Sequence, residues 1–298
     1  MLEHLVVYPR GGLCNRLRAI ASAKRLCSQT GARCTIAWDW GDYRALFDDA
    51  TDWIPYDAAM ARNQNVIIPG YHHIRHRLSR EGGTKRNHRV PVTAYPRVAV
   101  TSWYVFCAAE EPVLRGRKLY EEHVMEWFPK PNPSILEKVN AFHDAFLPAR
   151  TVGIHVRRTD NKSAIFRSSD KAYLREGDRL MDRGHHLFLA TDNEETLAMM
   201  QKHYGDKLIS YPKSSALKHR WPKKSFNIQD ITEDLVDLWL LASCEFVTGS
   251  IESSYSRVAI LLNGSPHCKA IDDPVGKCRD LFHRMWACRS LLSPRRWL

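Results

Sequence analysis

Strand and helix patterns alternate regularly through the second half of this chain, and that alternation constrains the fold more than any other feature. Short runs of β-branched and aromatic residues are each followed by a longer segment with apolar residues at helical spacing. Strands separated by helices of this length form a parallel sheet with helices packed on its faces. The pattern predicts helices over 134–146, 171–181, 194–204, 232–244 and 253–262, and strands over 152–156, 186–190, 207–210 and 246–249.

The first half of the chain begins with a similar unit. A strand over 5–8, a helix ending before Gly31 and a strand over 34–38 form one βαβ unit. Between residues 40 and 130 the periodicity weakens, and strands are predicted at 66–68 and 98–102. The proline-rich stretch at 129–133 indicates a linker. We therefore expect an α/β protein with two Rossmann-like domains, at 1–132 and 133–298.

Composition and charge limit the classes of partner. The net charge of +11 arises partly from basic segments at 72–89 and 213–224. Neither resembles a helix-turn-helix, an RNA-recognition sheet or a zinc finger, so we predict no nucleic-acid partner. A basic surface also attracts nucleotide-sugar diphosphates and acidic membrane surfaces. The sequence contains no apolar run of about 20 residues and no signal-peptide pattern. We expect a cytoplasmic protein, with peripheral association at the inner face of the membrane left open.

The eight cysteines indicate reduced thiols rather than a metal site. No C-x-x-C pair occurs, whereas zinc sites and redox pairs usually have tight spacing. Thr232 is the predicted N-cap of its helix. The evenly spaced cysteines Cys268, Cys278 and Cys288 mark the place where a disulfide or a metal would be sought first.

Two adjacent arginines follow the strand at 152–156, in the run GIHVRRTD. Arg157 and Arg158 cannot shed their charge, so each needs a carboxylate or an anionic ligand. In an open α/β sheet, ligands bind outside the carboxyl ends of the strands. An internal salt bridge with Asp160 is the alternative explanation.

Three other strand ends in this half also carry polar clusters, at 191–193, 211–213 and 249–254. The last combines a glycine with small hydroxyl residues directly before a helix, an arrangement that suits a phosphate. A serine capping turn without a ligand is the alternative. A pyrophosphate held between Arg157 or Arg158 and the 250–253 turn would be activated without a metal, because charge builds on its β-phosphate as a sugar leaves.

The turn after the first strand, PRGGLCNR, matches neither the G-x-G-x-x-G nor the G-x-x-x-x-G-K-[ST] phosphate loop. Gly11 and Gly12 nevertheless allow a ligand to approach the backbone. Asn15 and Arg16 add an amide and a guanidinium at the start of the helix. A tight turn capped by Asn15 is the alternative.

Taken together, these motifs resemble a known superfamily. HVRRTD, a later strand ending in ATD, and a strand with a serine turn and an SRVA helix resemble the α1,6-fucosyltransferases, including the rhizobial nodulation enzymes, and the protein O-fucosyltransferases. GGLCNRL is similar to the glycine-asparagine turn of their first domain. The resemblance implies a GT-B fold, with GDP-fucose in a cleft between two Rossmann-like domains and no metal or other cofactor.

The resemblance also implies roles for individual residues. Arg157 and Arg158 would hold the diphosphate and, with Asp160, form the catalytic set. The donor-binding set implied by the motifs comprises Gly12, Asn15, Arg16, His155, Asp192, Asp237, Ser250, Ser253 and Ser254. Among these, Asp237 matches the guanine-binding acid and Asn15 would face the sugar phosphate.

One departure from the pattern concerns the acceptor base. The α1,6 enzymes continue HVRRTD with K-x-G-T-E, whereas Ile165 stands here where their glutamate is expected. Asp160 is the substitute candidate, but pairing with Arg158 would lower its pKa and make it a poor base.

These observations lead to one functional prediction. We predict an inverting, metal-independent glycosyltransferase that moves fucose from GDP-fucose to a glycan or glycolipid hydroxyl. A transferase with another nucleotide-sugar donor, or a non-catalytic nucleotide- or glycan-binding relative, is the alternative. Trp38, Trp40, Trp53, Tyr71 and Trp103 are either sugar platforms or core residues.

Overall fold

The computed structural model describes residues 1–56, 68–76, 80–81, 85–86, 89–109, 111, 126–213, 228–275 and 278. Within these ranges the chain divides into two compact units. Unit 1 is bounded by Met1–Lys138 and Ser225–Val236, and unit 2 by Val139–Lys224 and Asp237–Leu298. Each unit contains a five-stranded sheet in which all the neighbouring strands are parallel.

The unit 1 sheet has the order β4-β2-β1-β9-β5. Its strands are β1 (His4–Pro9), β2 (Arg33–Trp38), β4 (Asp52–Pro55), β5 (His72–His76) and β9 (Arg97–Ser102). Helix α1 (Leu13–Thr30) connects β1 to β2 and ends at Gly31, whose φ of 70° explains the glycine. The smaller elements of this unit are α2 (Tyr43–Leu46), β3 (Phe47–Asp48), β6 (Arg80–Glu81), β7 (Lys85–Arg86), β8 (Arg89–Val90), a 3₁₀ turn (Val92–Ala94), β10 (Cys107–Ala108) and β11 (Lys130–Pro131).

The unit 2 sheet has the order β14-β13-β12-β15-β16. Its strands are β12 (Thr151–Val156), β13 (His186–Thr191), β14 (Leu208–Ile209), β15 (Phe246–Ser250) and β16 (Lys269–Ile271). The helices are α4 (Lys162–Arg167), α5 (Asp170–Met181), α6 (Glu194–Tyr204) and α8 (Ser254–Asn263), with a 3₁₀ turn at Gly205–Lys207. Helices α3 (Pro133–Phe146) and α7 (Ile228–Ser243) each contribute residues to both units.

The core of unit 2 is built from the strands and the apolar faces of the helices. Val152, Ile154 and Val156 of β12 are fully buried, and they pack with Tyr173 of α5 and Met200 of α6. All six residues of β12 are buried, as expected for a central parallel strand with both faces covered. The core therefore fixes the position of the residues that follow β12.

The predicted strands and helices of the second half are confirmed, with small shifts at their ends. Thr232 as an N-cap is wrong: the described part of α7 starts at Ile228, and the Thr232 hydroxyl donates within the helix to the Ile228 carbonyl (2.8 Å). Helix α4, which Asn161 caps, was not among the predicted elements.

The first half shows two differences from the predicted elements. The stretch 129–133 is not a free linker, because Lys130–Pro131 pairs with Phe47–Asp48 and α3 begins at Pro133. Of the strand predicted at 66–68, residues 66 and 67 lie outside the described residues, and residue 68 is not in a strand. The strand at 98–102 is confirmed as β9.

Three further observations bear on the class of protein. The cysteines Cys14, Cys27, Cys34, Cys107, Cys244, Cys268 and Cys278 are free thiols, and Cys288 lies outside the described residues. In the part of the chain that the structure describes, no group of three or more His, Cys, Asp or Glu side chains is arranged to hold a metal. Among the described helices, none has both the length and the apolar character required to cross a bilayer.

Candidate functional site

The carboxyl ends of three neighbouring strands in unit 2 bring the predicted polar clusters together. In the central strand, Val156 lies opposite Thr191 of β13, and His155 lies opposite Gly249 of β15. The residues after each strand consequently emerge at one edge of the sheet. This edge carries Arg157 to Asp160, Asp192 and the serine turn that follows β15.

Arg157 lies at the centre of this edge. Its backbone N–H donates to Ser250 Oγ (2.9 Å), which ties the end of β12 to the end of β15. Its guanidinium pairs with Asp160 (Nε to Oδ1, 2.9 Å) and with Asp192 (Nη1 to Oδ2, 2.9 Å). The side chain remains 28% exposed. Arg157 is thus a fixed cation that an anion at the surface can still reach.

Arg158 has a different environment. Its side chain is 10% exposed and packs over the Tyr173 ring, with 5.2 Å between the guanidinium carbon and the ring centroid. Its N–H groups donate to Asp170 (Nε to Oδ1, 2.9 Å), the Ser168 carbonyl (2.8 Å) and the Arg157 carbonyl (3.0 Å). The expected pairing of Arg158 with Asp160 is wrong, because Asp160 pairs with Arg157 instead.

Asp192 joins both arginines. Its Oδ1 accepts from the Arg158 backbone N–H (2.8 Å) and its Oδ2 from the Thr159 hydroxyl (2.6 Å). Burial would raise the pKa of this carboxyl, but the Arg157 charge and these hydrogen bonds outweigh burial and hold the pKa below its usual range. Asp192 therefore stays ionised and orients Arg157.

A buried hydroxyl network lies behind Arg157. Tyr173 is fully buried, its hydroxyl is 2.6 Å from Ser250 Oγ, and it donates to the His155 carbonyl (3.1 Å). Ser250 is 1% exposed. Because the Ser250 hydroxyl already bonds to Tyr173 and to the Arg157 N–H, it holds the arginine in place from below.

The serine turn begins helix α8. Ser253 is the N-cap, and its hydroxyl accepts from the Ser256 N–H (3.4 Å). Ser254 is the first helical residue and is half-buried. Glu252 has a positive φ of 62°, uncommon for a residue with a side chain, and the Asn161 amide donates to its carbonyl (2.8 Å). The turn is thus bonded to Asn161, and the helix N-terminus lies at the same edge as Arg157.

His155 is buried beneath this edge. Its Nδ1 is hydrogen bonded to Ser256 Oγ (2.6 Å), and its ring stacks on Tyr255 with 4.7 Å between the centroids. Burial lowers its pKa to about 3; Asp192 opposes this shift, and Arg157, Lys213 and Arg158 add to it. His155 is therefore neutral near pH 7.

This depressed pKa predicts a pH dependence of stability. Between pH 6.5, the ordinary histidine value, and about 3, the unfolded chain binds a proton at His155 and the folded chain does not. We expect His155 to lower the free energy of unfolding by up to about 1.4 kcal/mol per pH unit as the pH falls through this window. Because the folded chain holds the pKa of Asp192 below its ordinary value, the free energy of unfolding falls further as the pH drops below that value.

Urea unfolding at several pH values between 7.5 and 4.5 measures the effect. His155→Asn should flatten the profile, whereas replacing the exposed His267 with Gln should leave its slope unchanged. Equal slopes in the wild type and the His155 variant would contradict the assignment.

Asp237 forms a buried ion pair. Lys213 Nζ lies 2.6 Å from Asp237 Oδ2, and the two side chains are 10% and 3% exposed. Lys213 follows the edge strand β14, in the 211–213 cluster that the sequence indicated, and Asp237 lies on α7. The predicted guanine-binding acid is thus already paired with a cation.

The remaining predicted donor residues lie in unit 1. Gly12 is the N-cap of α1 with φ −69°, while Gly11 has φ 84° and needs to be glycine. Asn15 is half-buried and its Oδ1 accepts from Arg18. Arg16 is buried, pairs with Asp39, donates to the Gly11 carbonyl (2.9 Å) and stacks over Trp40 at 3.8 Å. Arg16 thus braces the glycine turn.

Some residues that hold these side chains in place were not predicted from the sequence. Asp39 follows β2 and binds Arg16 and the Tyr8 hydroxyl (2.8 Å). Its position directly after a strand could have identified it, because residues after parallel strands lie at the ligand-binding edge of a sheet. Tyr173 and Asp170 carried no such signal, because both lie on helix α5.

The chain is similar to known proteins in structure but matches none of them in sequence. No protein-family model and no curated protein sequence matches the chain. A variant of Arabidopsis thaliana FUT1 in complex with GDP matches with a TM-score of 0.58 at 14% identity, covering 92% of this chain and 71% of that one. The chain has the fold of a fucosyltransferase.

Two further solved structures support this. NodZ, an α1,6-fucosyltransferase of Bradyrhizobium, co-crystallised with GDP, matches with a TM-score of 0.54 at 17% identity over 92% of this chain and 99% of that one. POFUT1 in complex with GDP matches with a TM-score of 0.53 at 11% identity over 90% and 98%. The predicted GT-B type α/β fold with Rossmann-like domains is confirmed.

Proposed function

We propose that the protein is a glycosyltransferase that transfers L-fucose from GDP-fucose to a glycan hydroxyl, with inversion at the anomeric carbon and without a metal. The observation that carries this proposal is Arg157, an accessible cation fixed at three strand ends by Ser250, Asp160 and Asp192. The shared fold of three fucosyltransferases, two of them bound to GDP in the structures compared and one co-crystallised with it, supports the same function.

The chemistry follows from the charge on the leaving group. When the bond from the anomeric carbon to the β-phosphate oxygen breaks, negative charge grows on that phosphate. A guanidinium already in position stabilises this charge more than it stabilises the bound substrate, so it lowers the barrier. In this proposal Arg157 makes that contact, Ser253 and Ser254 offer the helix N-terminus, and Asp237 binds guanine.

The assignment divides the predicted catalytic residues by role. Arg158 and Asp160 act through Arg157, because Arg158 is enclosed by Asp170 and Tyr173 and Asp160 is paired with the Arg157 guanidinium. Ser250, His155 and Asp192 are positioning residues. Gly12, Asn15 and Arg16, which lie in unit 1, stay predicted donor-binding residues.

A second function, a nucleotide- or glycan-binding protein without activity, is favoured by one observation. Ile165 is half-buried on α4, where the α1,6 enzymes are expected to have a glutamate, and Asp160 is ion-paired. The carboxylate expected to deprotonate the acceptor is thus absent from its expected position. A transferase with a different nucleotide-sugar donor is the remaining alternative.

Nucleotide binding tests the donor assignment directly. At 100 times its dissociation constant, GDP should raise the free energy of unfolding by about 2.7 kcal/mol, and UDP at equal concentration should raise it less. Thermal unfolding with each nucleotide measures this. No stabilisation by GDP would refute the donor assignment, whereas GDP binding without turnover of GDP-fucose on any acceptor would favour the binding protein.

The proposed reaction does not require a metal. Transfer from GDP-fucose should be unchanged by excess EDTA, because Arg157 supplies the positive charge that a divalent cation supplies in metal-dependent transferases. A loss of activity restored by Mg²⁺ or Mn²⁺ would refute a metal-independent reaction.

We further propose that the protein is cytoplasmic. Association with the inner face of the membrane is the alternative, and cell fractionation distinguishes the two.

A further inference from the structure

Two arginines and one tryptophan lie together at the carboxyl edge of the unit 1 sheet. Arg10 follows β1 and Trp103 follows β9, while Arg75 lies near the carboxyl end of the edge strand β5. The guanidinium carbons of Arg10 and Arg75 lie 5.9 Å and 5.4 Å from the Trp103 ring centroid. We refer to these three residues as the Arg-Trp cluster.

The backbone fixes where the Arg-Trp cluster lies. Pro9 pairs with Ser102, and the Arg10 N–H donates to the Ser102 carbonyl (2.7 Å), so Arg10 and Trp103 leave the sheet side by side. A Cβ placed on Gly11 would be 3.5 Å from Trp103 Cδ1. The indole therefore packs against the glycine turn that precedes Asn15, the residue predicted to face the sugar phosphate.

Arg10 differs from the buried arginine nearby in having no carboxylate among its described contacts. Arg16, the buried arginine nearby, is paired with Asp39. The Arg10 guanidinium donates to the Tyr8 hydroxyl (2.6 Å) and lies over the Tyr8 and Trp103 rings, and its described contacts include no carboxylate. Arg10 and Trp103 are half-buried and Arg75 is exposed, so solvent reaches all three side chains.

Guanidinium groups in such positions are suited to an oxyanion. A guanidinium stacked on an aromatic face keeps its N–H donors in the plane, where they fit a carboxylate or a phosphate. The indole also offers a flat apolar surface on which a sugar ring can pack, a contact that a free ion does not make.

We propose that the Arg-Trp cluster binds an anionic group, a carboxylate or a phosphate ester, on the acceptor glycan. The inference rests on the proposed transferase function and adds to it a class of acceptor, an acidic glycan. Trp103 packs against the sugar ring that carries the anion, and Arg10 and Arg75 bind its oxygens.

Titration calorimetry with defined probes tests the proposal. The carboxylate probe is a hyaluronan tetrasaccharide, compared with its carboxyl-reduced form, and the phosphate probe is N-acetylglucosamine 1-phosphate, compared with N-acetylglucosamine. Each is titrated with and without saturating GDP, so that binding at Arg157 is distinguished from binding in unit 1. GDP binding itself is measured first, because the proposal gives Arg10 and Arg75 no part in it.

The proposal predicts tighter binding of at least one charged probe than of its neutral counterpart, in the presence of GDP. Arg75→Gln and Arg10→Gln should each weaken that binding about tenfold, as expected for loss of a charge-assisted hydrogen bond. Arg97→Gln is the matched control, since Arg97 is exposed at the opposite end of β9.

Three results would overturn the proposal. The first is equal binding of charged and neutral probes, or no binding of either. The second is equal weakening by Arg97→Gln, which would indicate net charge alone. The third is binding only to phosphatidylglycerol vesicles and not to phosphatidylcholine vesicles or the sugars, which would make this edge a membrane-binding surface. Failure of GDP binding alone would remove the transferase and leave the anion site to be judged from the titrations without GDP.

Discussion

Replacing Arg157 with lysine is expected to reduce the turnover number about a hundredfold or more, the usual cost of removing a donor to transition-state charge. A single ammonium cannot contact a phosphate in the bidentate manner of a guanidinium, and it cannot keep its contacts with Asp160 and Asp192 at the same time. Stability should fall by less than about 1 kcal/mol, because the ion pairs that are lost are partly exposed.

Kinetics with GDP-fucose and urea unfolding together measure both effects. Arg183→Lys is the matched control, since Arg183 is exposed at the amino edge of the same sheet. Arg158→Lys should lower the free energy of unfolding more than Arg157→Lys does, and the turnover number less. The reason is that the Arg158 guanidinium bonds to Asp170 and two carbonyls within the protein. Full activity in the Arg157 variant would exclude it as the residue that stabilises the leaving group.

Asp237→Asn is expected to lower the free energy of unfolding by about 3 kcal/mol, the typical cost of breaking a buried ion pair. The variant leaves the Lys213 ammonium at 10% exposure without its carboxylate. GDP should also stabilise the variant much less than the wild type, because the proposed guanine contact is weakened.

A double variant separates these two consequences. In Lys213→Met/Asp237→Leu the buried charges are both removed, so stability should recover in part, as it does when buried pairs are replaced by apolar residues. Stabilisation by GDP should remain lost. If the double variant regained the full effect of GDP, Asp237 would have no role in nucleotide binding and its ion pair would be structural.

Much of unit 2 was predictable because its signals are local. Helix α6 has the predicted bounds, since Asn193 caps its first turn and Gly205 ends it. The edge that carries the site was predictable for a related reason. Parallel strands end at one edge of the sheet. The meeting of the polar residues after β12, β13 and β15 can therefore be predicted without knowing their contacts.

The partners of the two arginines were not predictable. Successive side chains at the end of a strand point to opposite faces, so Arg157 and Arg158 enter different environments although they are chemically identical. Which of them faces the surface depends on Asp170 and Tyr173 of α5. The packing of α5 against the sheet decides which arginine is enclosed. The sequence pattern identifies the buried face of such a helix but not the residues that this face contacts. Unit 1 was harder still, because several of its strands are only two to five residues long.

The Tyr173 hydroxyl has a consequence for the interpretation of variants. Tyr173 is fully buried and would be classified as a core residue in any survey of natural substitutions. Phenylalanine at this position keeps the ring and its packing and removes only the buried hydroxyl, so a screen scored on protein abundance would record a smaller loss than for alanine. The same substitution removes the bond to Ser250 Oγ, and with it a support beneath the backbone of Arg157. Abundance and activity would then disagree at a position some distance along the chain from every predicted ligand contact.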